Sequence, residues 1–121
     1  MVNCSFGRYV RQQRMARLHK DPDYSLRRVA LAVGLEPSFL SKIERGVVPP
    51  PSEPKIKAIA KILDEDPDIL LAMAGKISTD LHDAIRTRPK LLAELIREVK
   101  NAPDSAVSGI VRETRAKYGK G

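Results

Sequence analysis

Residues 25–46, SLRRVALAVGLEPSFLSKIERG, constrain the fold of this chain more than any other stretch. One helix face is predicted by apolar residues at the i, i+3, i+4, i+7 spacing, namely Leu26, Val29, Ala30 and Val33. Ser25 stands where a side chain can cap that helix. Gly34 follows the last apolar position, where a chain that stops a helix and turns sharply needs a residue tolerating positive φ. The pattern predicts a short helix that ends in a tight turn.

A second short helix follows the turn. Pro37 stands near its start, where a missing N–H costs nothing, and Leu40 and Ile43 are three apart and point inward. The remaining positions lie on the outer arc, and these are Ser38, Phe39, Ser41, Lys42 and Arg45. Ala30 is small enough for two helices to cross closely. The same spacing also occurs in ordinary helical hairpins, so the flanking sequence has to decide between the two interpretations.

The flanking sequence is similar to that of the phage repressor and Cro family of helix-turn-helix proteins, also called the Xre family, over roughly residues 5–74. The resemblance rests on FGRYVRQQR at 6–14, on SLRRVALAVGLEPSFLSKIERG, on PPPSEP at 49–54 and on IKAIAKIL at 56–63. It implies five short helices, of which the second and third form the motif. It also implies a pair between an arginine of helix 1 and the glutamate that closes the recognition helix, here Arg14 and Glu44. We interpret that pair as structural, because a half-buried acid close to DNA must be neutralised.

Two stretches depart from the family pattern. MARLHKDPDY at 15–24 makes a longer first connection than is usual, which a surface loop tolerates. GVVPPPSEP at 46–54 places Val47, Val48 and a run of three prolines, 49–51, where relatives often have basic residues. We therefore expect this loop to contact phosphate through backbone N–H groups at most.

The resemblance and the side-chain chemistry together predict a surface for double-stranded DNA on these helices. Lysine donors suit O6 and N7 of guanine, so Lys42 is the best candidate for a base contact, while Phe39 either packs on thymine methyls or tucks into the core. We expect contacts to base edges from Glu36, Pro37, Ser38, Phe39, Ser41 and Lys42. We expect contacts to phosphate from Ser25, Leu26, Arg27, Arg28 and Arg45.

The charge of the chain agrees with a polyanionic partner. Its 22 Lys and Arg residues outnumber its 15 acids, which gives a net charge of +7 and a pI near 9.8. Residues 1–50 hold 9 basic and 4 acidic residues, whereas residues 51–121 hold 13 and 11. The basic excess is concentrated with the motif, and helix 1 contributes Arg8, Arg11 and Arg17 to it.

Enzyme chemistry has little support in the sequence, which lacks a Gly-rich phosphate loop and a GxSxG motif. We expect no catalytic residue, no cofactor and no metal. Asp80, His82 and Asp83 crowd together, but their pattern is more typical of a helix N-terminus than of a ligand set. A single cysteine, Cys4, excludes an internal disulfide, and there is neither an apolar run of ~20 residues nor a leader. We therefore expect a cytoplasmic protein without a membrane segment.

Helical patterns continue beyond the motif to Gly75, where we place a domain boundary. Residues 1–74 are predicted to form the DNA-binding domain and residues 75–121 a C-terminal helical segment for dimerisation or partner binding. Its helices are predicted at 78–86, 90–100 and 104–118. The predicted fold class is all-α, with a five-helix repressor-like helix-turn-helix domain followed by a short C-terminal helical segment.

Two C-terminal helices carry apolar stripes that fewer than fifty residues can hardly bury alone. Pairing with a second copy would double the base contacts of one motif and match a pseudo-palindromic site. Packing on the N-terminal domain, or on a regulatory or toxin protein, stays open at this point. The predicted function is a sequence-specific transcriptional regulator, a repressor that binds its operator as a homodimer. The alternatives are an antitoxin-type protein that autoregulates its operon and a plain interaction scaffold.

Overall fold

The computed structural model describes the backbone of residues 4–119 and the side chains of residues 6–119, and this part of the chain contains helices and no strand. A short 3₁₀ turn, Pro22–Tyr24, follows the first α-helix. The α-helices are α1 (Cys4–Leu18), α2 (Leu26–Ala32), α3 (Pro37–Glu44), α4 (Glu53–Leu63), α5 (Pro67–Met73), α6 (Thr79–Thr87), α7 (Pro89–Val99) and α8 (Asp104–Tyr118). The predicted all-α fold class is confirmed.

The described chain divides into two compact units between Thr79 and Asp80. The first unit contains α1–α5, and the residues after α5 remain tied to it. Lys76 Nζ donates to the carbonyl oxygen of Pro51 at 2.9 Å, and Thr79 Oγ1 donates to the Glu53 carboxylate at 3.3 Å. Both bonds hold the chain against the start of α4.

The core of the first unit lies among α1, α3, α4 and α5. Its buried side chains recur at helical spacing along these four helices and at the end of α2. They are Phe6, Val10, Val33, Ile43, Ile56, Ile59, Ala60, Leu63, Leu70 and Leu71. A smaller cluster of Val29, Ala30 and Leu40 joins α2 to α3. Burying each large side chain contributes about 1.5–3 kcal/mol. This packing fixes the orientation of α3 with respect to the rest of the unit.

Local signals set where the short helices begin. The Ser25 hydroxyl accepts from the backbone N–H of Arg28 at 3.2 Å at the start of α2, and the Asp66 carboxylate accepts from that of Asp68 at 2.9 Å at the start of α5. Proline occupies the first or second position of α3, α4, α5 and α7, where no intrahelical N–H is required. These caps stabilise helices that are too short to persist alone.

Gly7 allows α1 and α3 to approach closely. A Cβ at Gly7 would overlap the carbonyl oxygen of Ile43 and lie 2.9 Å from that of Glu44. Any side chain there would push the N-terminal part of α1 away from the C-terminal end of α3. Glycine inside a helix is less favourable than alanine by about 1 kcal/mol. The close packing of α1 against α3 explains why a glycine occupies this position.

The second unit contains α6 from Asp80 onward, α7 and α8, and none of these helices has a buried residue. Six large apolar side chains of α7 and α8 are between 43 and 79% exposed, and they are Leu91, Leu95, Ile96, Ile110, Val111 and Tyr118. Leu92, Val99 and Val107 are half-buried. An amphipathic helix in water needs its apolar face covered. Within one chain, these two helices therefore lack a closed core.

Candidate nucleic-acid interface

The turn between α2 and α3 is held by backbone and side-chain hydrogen bonds. Gly34 has a φ of 74°, and the backbone N–H of Leu35 donates to the carbonyl oxygen of Ala30 at 2.8 Å. Lys55 reaches over from α4, and its Nζ donates to the carbonyl oxygens of Val33 at 3.0 Å and Gly34 at 3.1 Å. A lysine here neutralises the partial negative charge at the end of α2. The angle between α2 and α3 is thus set partly from a third helix.

The α3 helix separates an inner from an outer face. Leu40, Ile43 and Glu44 are buried, whereas the outer positions Ser38, Phe39, Lys42 and Arg45 are exposed and Ser41 is half-buried. Phe39 is 38% exposed, so a substantial part of its ring faces outward. Of the predicted base-edge residues, the structure places all but Glu36 on α3 itself.

The N-terminal end of α3 is open. Glu36 occupies the N-cap position with an extended backbone and makes no side-chain cap hydrogen bond, and Pro37 is the first helical residue. Glu36 is exposed and Pro37 is half-buried. The N–H groups of Phe39 and Leu40 both donate to the carbonyl oxygen of Glu36 at 3.0 Å, so the first turn leaves the N–H of Ser38 and the Glu36 carboxylate available to a ligand.

Lys42 of α3 and Arg45, directly after α3, are cations that are held differently. Arg45 Nε donates to the Ser41 hydroxyl at 3.3 Å, which orients the guanidinium along the helix. Lys42 is exposed, and its ammonium group makes no hydrogen bond or ion pair with any residue between Phe6 and Gly119. Its ammonium group has all its donors available to an external partner.

The predicted phosphate-contacting residues of α2 lie at its first turn. Arg27 and Arg28 are exposed, and Ser25 and Leu26 are half-buried. The Ser25 hydroxyl is used in capping, and Arg28 Nη1 pairs with Asp23 at 3.0 Å. Both side chains of this pair are 68% exposed, so the attraction is weak and a phosphate can compete for the arginine.

A notch between α1, α2 and α3 brings together residues that are distant in sequence. Exposed Arg11 from α1, Leu26 from the start of α2, and Ser41 and Arg45 from α3 line its sides. The notch therefore joins two predicted phosphate-contacting residues with Arg11, which was not among the predicted site residues. The position of Arg11 within the sequence of α1 does not indicate that it lies beside α2 and α3.

Arg14 and Glu44 form a buried salt bridge between α1 and the end of α3. Arg14 Nε donates to Oε2 of Glu44 at 2.7 Å and Nη2 donates to Oε1 at 2.9 Å, so both carboxylate oxygens are used. Arg14 Nη1 also donates to the carbonyl oxygen of Tyr24 at 3.2 Å, in the 3₁₀ turn. One guanidinium thus connects three segments around the motif.

The local sequence does not mark Lys55 as a residue that positions the motif. It lies 22 residues from Val33, and a lysine one turn into a helix is ordinarily solvated. Its contact follows from the packing of α4 beside α2, which the local pattern does not reveal.

These features define the class of protein: a short helix, a glycine turn and a second helix with an exposed basic outer face, supported by three further helices. A family model described as a helix-turn-helix domain matches residues 5–72. The chain belongs to this family of DNA-binding proteins. No curated protein and no solved structure matched the chain.

No helix in the described part of the chain combines the length and the apolar character needed to cross a membrane. Between residues 4 and 119, no three His, Cys, Asp or Glu residues are grouped in a way that would hold a metal ion.

Proposed function

We propose that this chain is a sequence-specific transcriptional regulator of the phage repressor and Cro type, and that it represses by occluding a promoter. The outer face of α3 carries the proposal, because it presents Ser38, Lys42 and Arg45 while Leu40 and Ile43 hold the helix in the core. A compact binding module of this kind blocks access to DNA without any catalytic step.

In the proposed complex, α3 enters the major groove by its N-terminal end. Ser38 and Lys42 reach base edges, and Lys42 donates to O6 and N7 of guanine. Ser41, which is half-buried, stands beside them at the groove. Glu36 accepts from cytosine N4 or repels phosphate in wrong registers. Phe39 packs on thymine methyls, and Pro37 contributes shape only.

Residues of α1, α2 and the end of α3 contact the phosphate backbone beside the groove. Arg45, held by Ser41, and Arg11 share the notch beside Leu26, where one phosphate oxygen can also approach backbone N–H groups of α2. Arg27 and Arg28 extend this contact along the strand. These contacts position α3, and the base edges supply the sequence preference.

One motif contacts only a few base pairs, so a specific DNA site requires two copies of it. The regulator therefore acts as a homodimer on a pseudo-palindromic operator with half-sites about 34 Å apart. The exposed apolar faces of α7 and α8 support this assignment.

The decisive experiment selects bound sequences from randomised duplex DNA and measures affinity for the selected site by fluorescence polarisation. We expect a two-fold symmetric sequence. Lys42→Ala should lose about 5- to 150-fold in affinity per half-site, the worth of one good base contact, and therefore about 25- to 20,000-fold for the homodimer. Lys61→Ala removes the same charge from an exposed position of α4 and should change affinity less than twofold. Equal affinities of wild type and Lys42→Ala would reject the proposed base contact.

Salt dependence tests the electrostatic part separately. If about eight phosphates are neutralised per dimer, the logarithm of affinity falls against the logarithm of salt with a slope of roughly −7. A flat dependence would contradict a phosphate-contacting surface.

An antitoxin-type protein is the second candidate. The observation that favours it is also the uncovered apolar face of α7 and α8, which a foreign protein would then occupy. A monomeric chain that becomes stable only with such a partner would favour this function.

A further inference from the structure

The end of α2 is capped by its own backbone and, in addition, by a side chain of α4. The backbone N–H of Leu35 donates to the carbonyl oxygen of Ala30 at 2.8 Å, the bond that commonly closes a helix ending in a residue of positive φ. This bond does not use the carbonyl oxygens of Val33 and Gly34. The Lys55 ammonium donates to both of these oxygens, at 3.0 and 3.1 Å.

The ends of α3, α4 and α5 provide a comparison within the same chain. Each closes with a backbone bond of the same kind, which runs from Val47 to Lys42 at 2.9 Å, from Glu65 to Ala60 at 2.8 Å, and from Lys76 to Leu71 at 2.9 Å. The backbone bond is therefore common to all of these helix ends. The contact from Lys55 at the end of α2 comes in addition to it.

The position of Lys55 in its own helix is unfavourable for a cation. Lys55 lies in the first turn of α4, at the positive end of that helix dipole, and its half-buried side chain reaches the negative end of α2. The ammonium also occupies the space beside Gly34, because a Cβ there would lie 2.7 Å from Nζ. Gly34 therefore supplies both a φ of 74° and room for the ammonium.

The turn determines how two sets of predicted DNA contacts lie relative to each other. The predicted phosphate contacts of Ser25 and Arg27 are at the start of α2, and the predicted base contacts of Ser38 and Lys42 are on α3. A specific complex requires both sets at once, whereas non-specific binding requires phosphate contacts only. A residue that fixes the turn therefore affects the discrimination between sequences more than the affinity for DNA in general.

We propose that Lys55 is a positioning residue for sequence discrimination. By binding the two carbonyl oxygens of the turn, it holds α3 at the angle that lets phosphate and base contacts form together. The inference rests on the proposed function and adds to it a residue that acts through the turn and not by touching DNA. Its ammonium is directed to Val33 and Gly34 and is partly used up by them.

Amide hydrogen exchange tests the hold of Lys55 on the turn without DNA. In Lys55→Met, which keeps the length of the side chain and removes its donors, the Leu35 amide should exchange about tenfold faster relative to the Glu65 amide. The Glu65 amide is the matched control, because it closes the end of α4 with a bond of the same 2.8 Å length. Taking the ratio of the two rates removes any change in global unfolding that both amides share. An unchanged ratio would overturn the proposal.

Affinities for the selected site and for an unrelated duplex measure the discrimination. Lys55→Met should lower the ratio of the two affinities about tenfold, because α3 is no longer held at one angle. Lys55→Arg, whose guanidinium can still donate to two oxygens, should restore the ratio to within about threefold of wild type. Lys61→Met removes the same charge from an exposed position of α4 and should leave the ratio within about twofold.

Circular dichroism at the binding temperature checks that each variant is folded. Wild-type discrimination in Lys55→Met, or discrimination in Lys55→Arg as poor as in Lys55→Met, would overturn the proposal.

The salt dependence of binding distinguishes positioning from a direct phosphate contact. A positioning residue leaves the slope of log affinity against log salt unchanged, whereas the loss of one phosphate contact per motif would flatten it by about two for a dimer. A slope flattened by that amount in Lys55→Met would assign Lys55 to the DNA backbone and overturn the proposal.

Exchange and binding together separate this inference from the proposed function. If the Leu35 amide responds as expected but the wild type prefers no DNA sequence, the proposed function fails, and the role in discrimination fails with it, while the hold of Lys55 on the turn stands. If the wild type prefers its selected site and Lys55→Met discriminates equally well, the proposed function stands and this inference fails.

Discussion

Removing the charge of Glu44 should unfold the first unit at a much lower temperature. Glu44→Gln keeps the shape of the side chain but leaves the Arg14 guanidinium, whose side chain is only 6% exposed, without its counterion. Both carboxylate oxygens accept from Arg14, at 2.7 and 2.9 Å, and an amide can accept only one of those bonds. Breaking one partner of a buried pair costs about 3–5 kcal/mol.

A domain of this size loses about 4–8 °C in melting temperature for each kcal/mol. Glu44→Gln should therefore lower the melting temperature by at least about 12 °C, measured by far-UV circular dichroism. Arg14→Met with Glu44→Leu removes both charges and should be more stable than Glu44→Gln alone, because no unpaired charge remains buried. Its residual cost includes the hydrogen bond to the Tyr24 carbonyl.

Asp23→Asn is the control, since it breaks an ion pair with Arg28 whose two side chains are 68% exposed. It should cost less than about 1 kcal/mol. If Glu44→Gln costs no more than Asp23→Asn, or if the double variant is the less stable one, the reasoning from burial is refuted.

Three other perturbations test the packing around the motif. Gly7→Ala should destabilise by about 2 kcal/mol or more despite a better helix propensity. Gly109→Ala, whose new Cβ would lie 3.9 Å from Nη2 of Arg112, should stabilise by about 0.5–1 kcal/mol. The same sign for both in urea unfolding would contradict the close approach of α1 to α3. Lys55→Met should cost about 1–2 kcal/mol, because two carbonyl oxygens of the turn lose their donor, and an unchanged unfolding midpoint would show that the turn holds itself. The pKa of the Tyr9 phenol lies above its usual range. The main cause is the hydrogen bond that Tyr9 donates to the Glu65 carboxylate at 2.9 Å, and partial burial of the phenol is a smaller cause. This contribution to stability is present at neutral pH and is lost as the pH rises above about 10, so wild type should lose more stability than Tyr9→Phe between about pH 9 and 11.

Structural features that depend only on residues close together in the chain could be predicted from the sequence. The stripe of α2, Gly34 and Pro37 each follow from helical spacing or from backbone preferences that act over a few residues. The all-α fold and the order of the helices were predictable for the same reason. The pairing of Arg14 with Glu44 came from family resemblance and not from spacing, since 30 residues separate them.

Contacts between distant segments were decided by tertiary packing. Lys55 meets the α2 turn across 22 residues and Tyr9 meets Glu65 across 56, and no local pattern distinguishes these side chains from solvated ones. The neighbours of Gly7 in the chain do not mark it as a packing position, because its close contacts are with Ile43 and Glu44 of α3. Short-range periodicity selects which face of a helix is apolar, whereas the identity of the facing helix depends on how the whole chain closes its core.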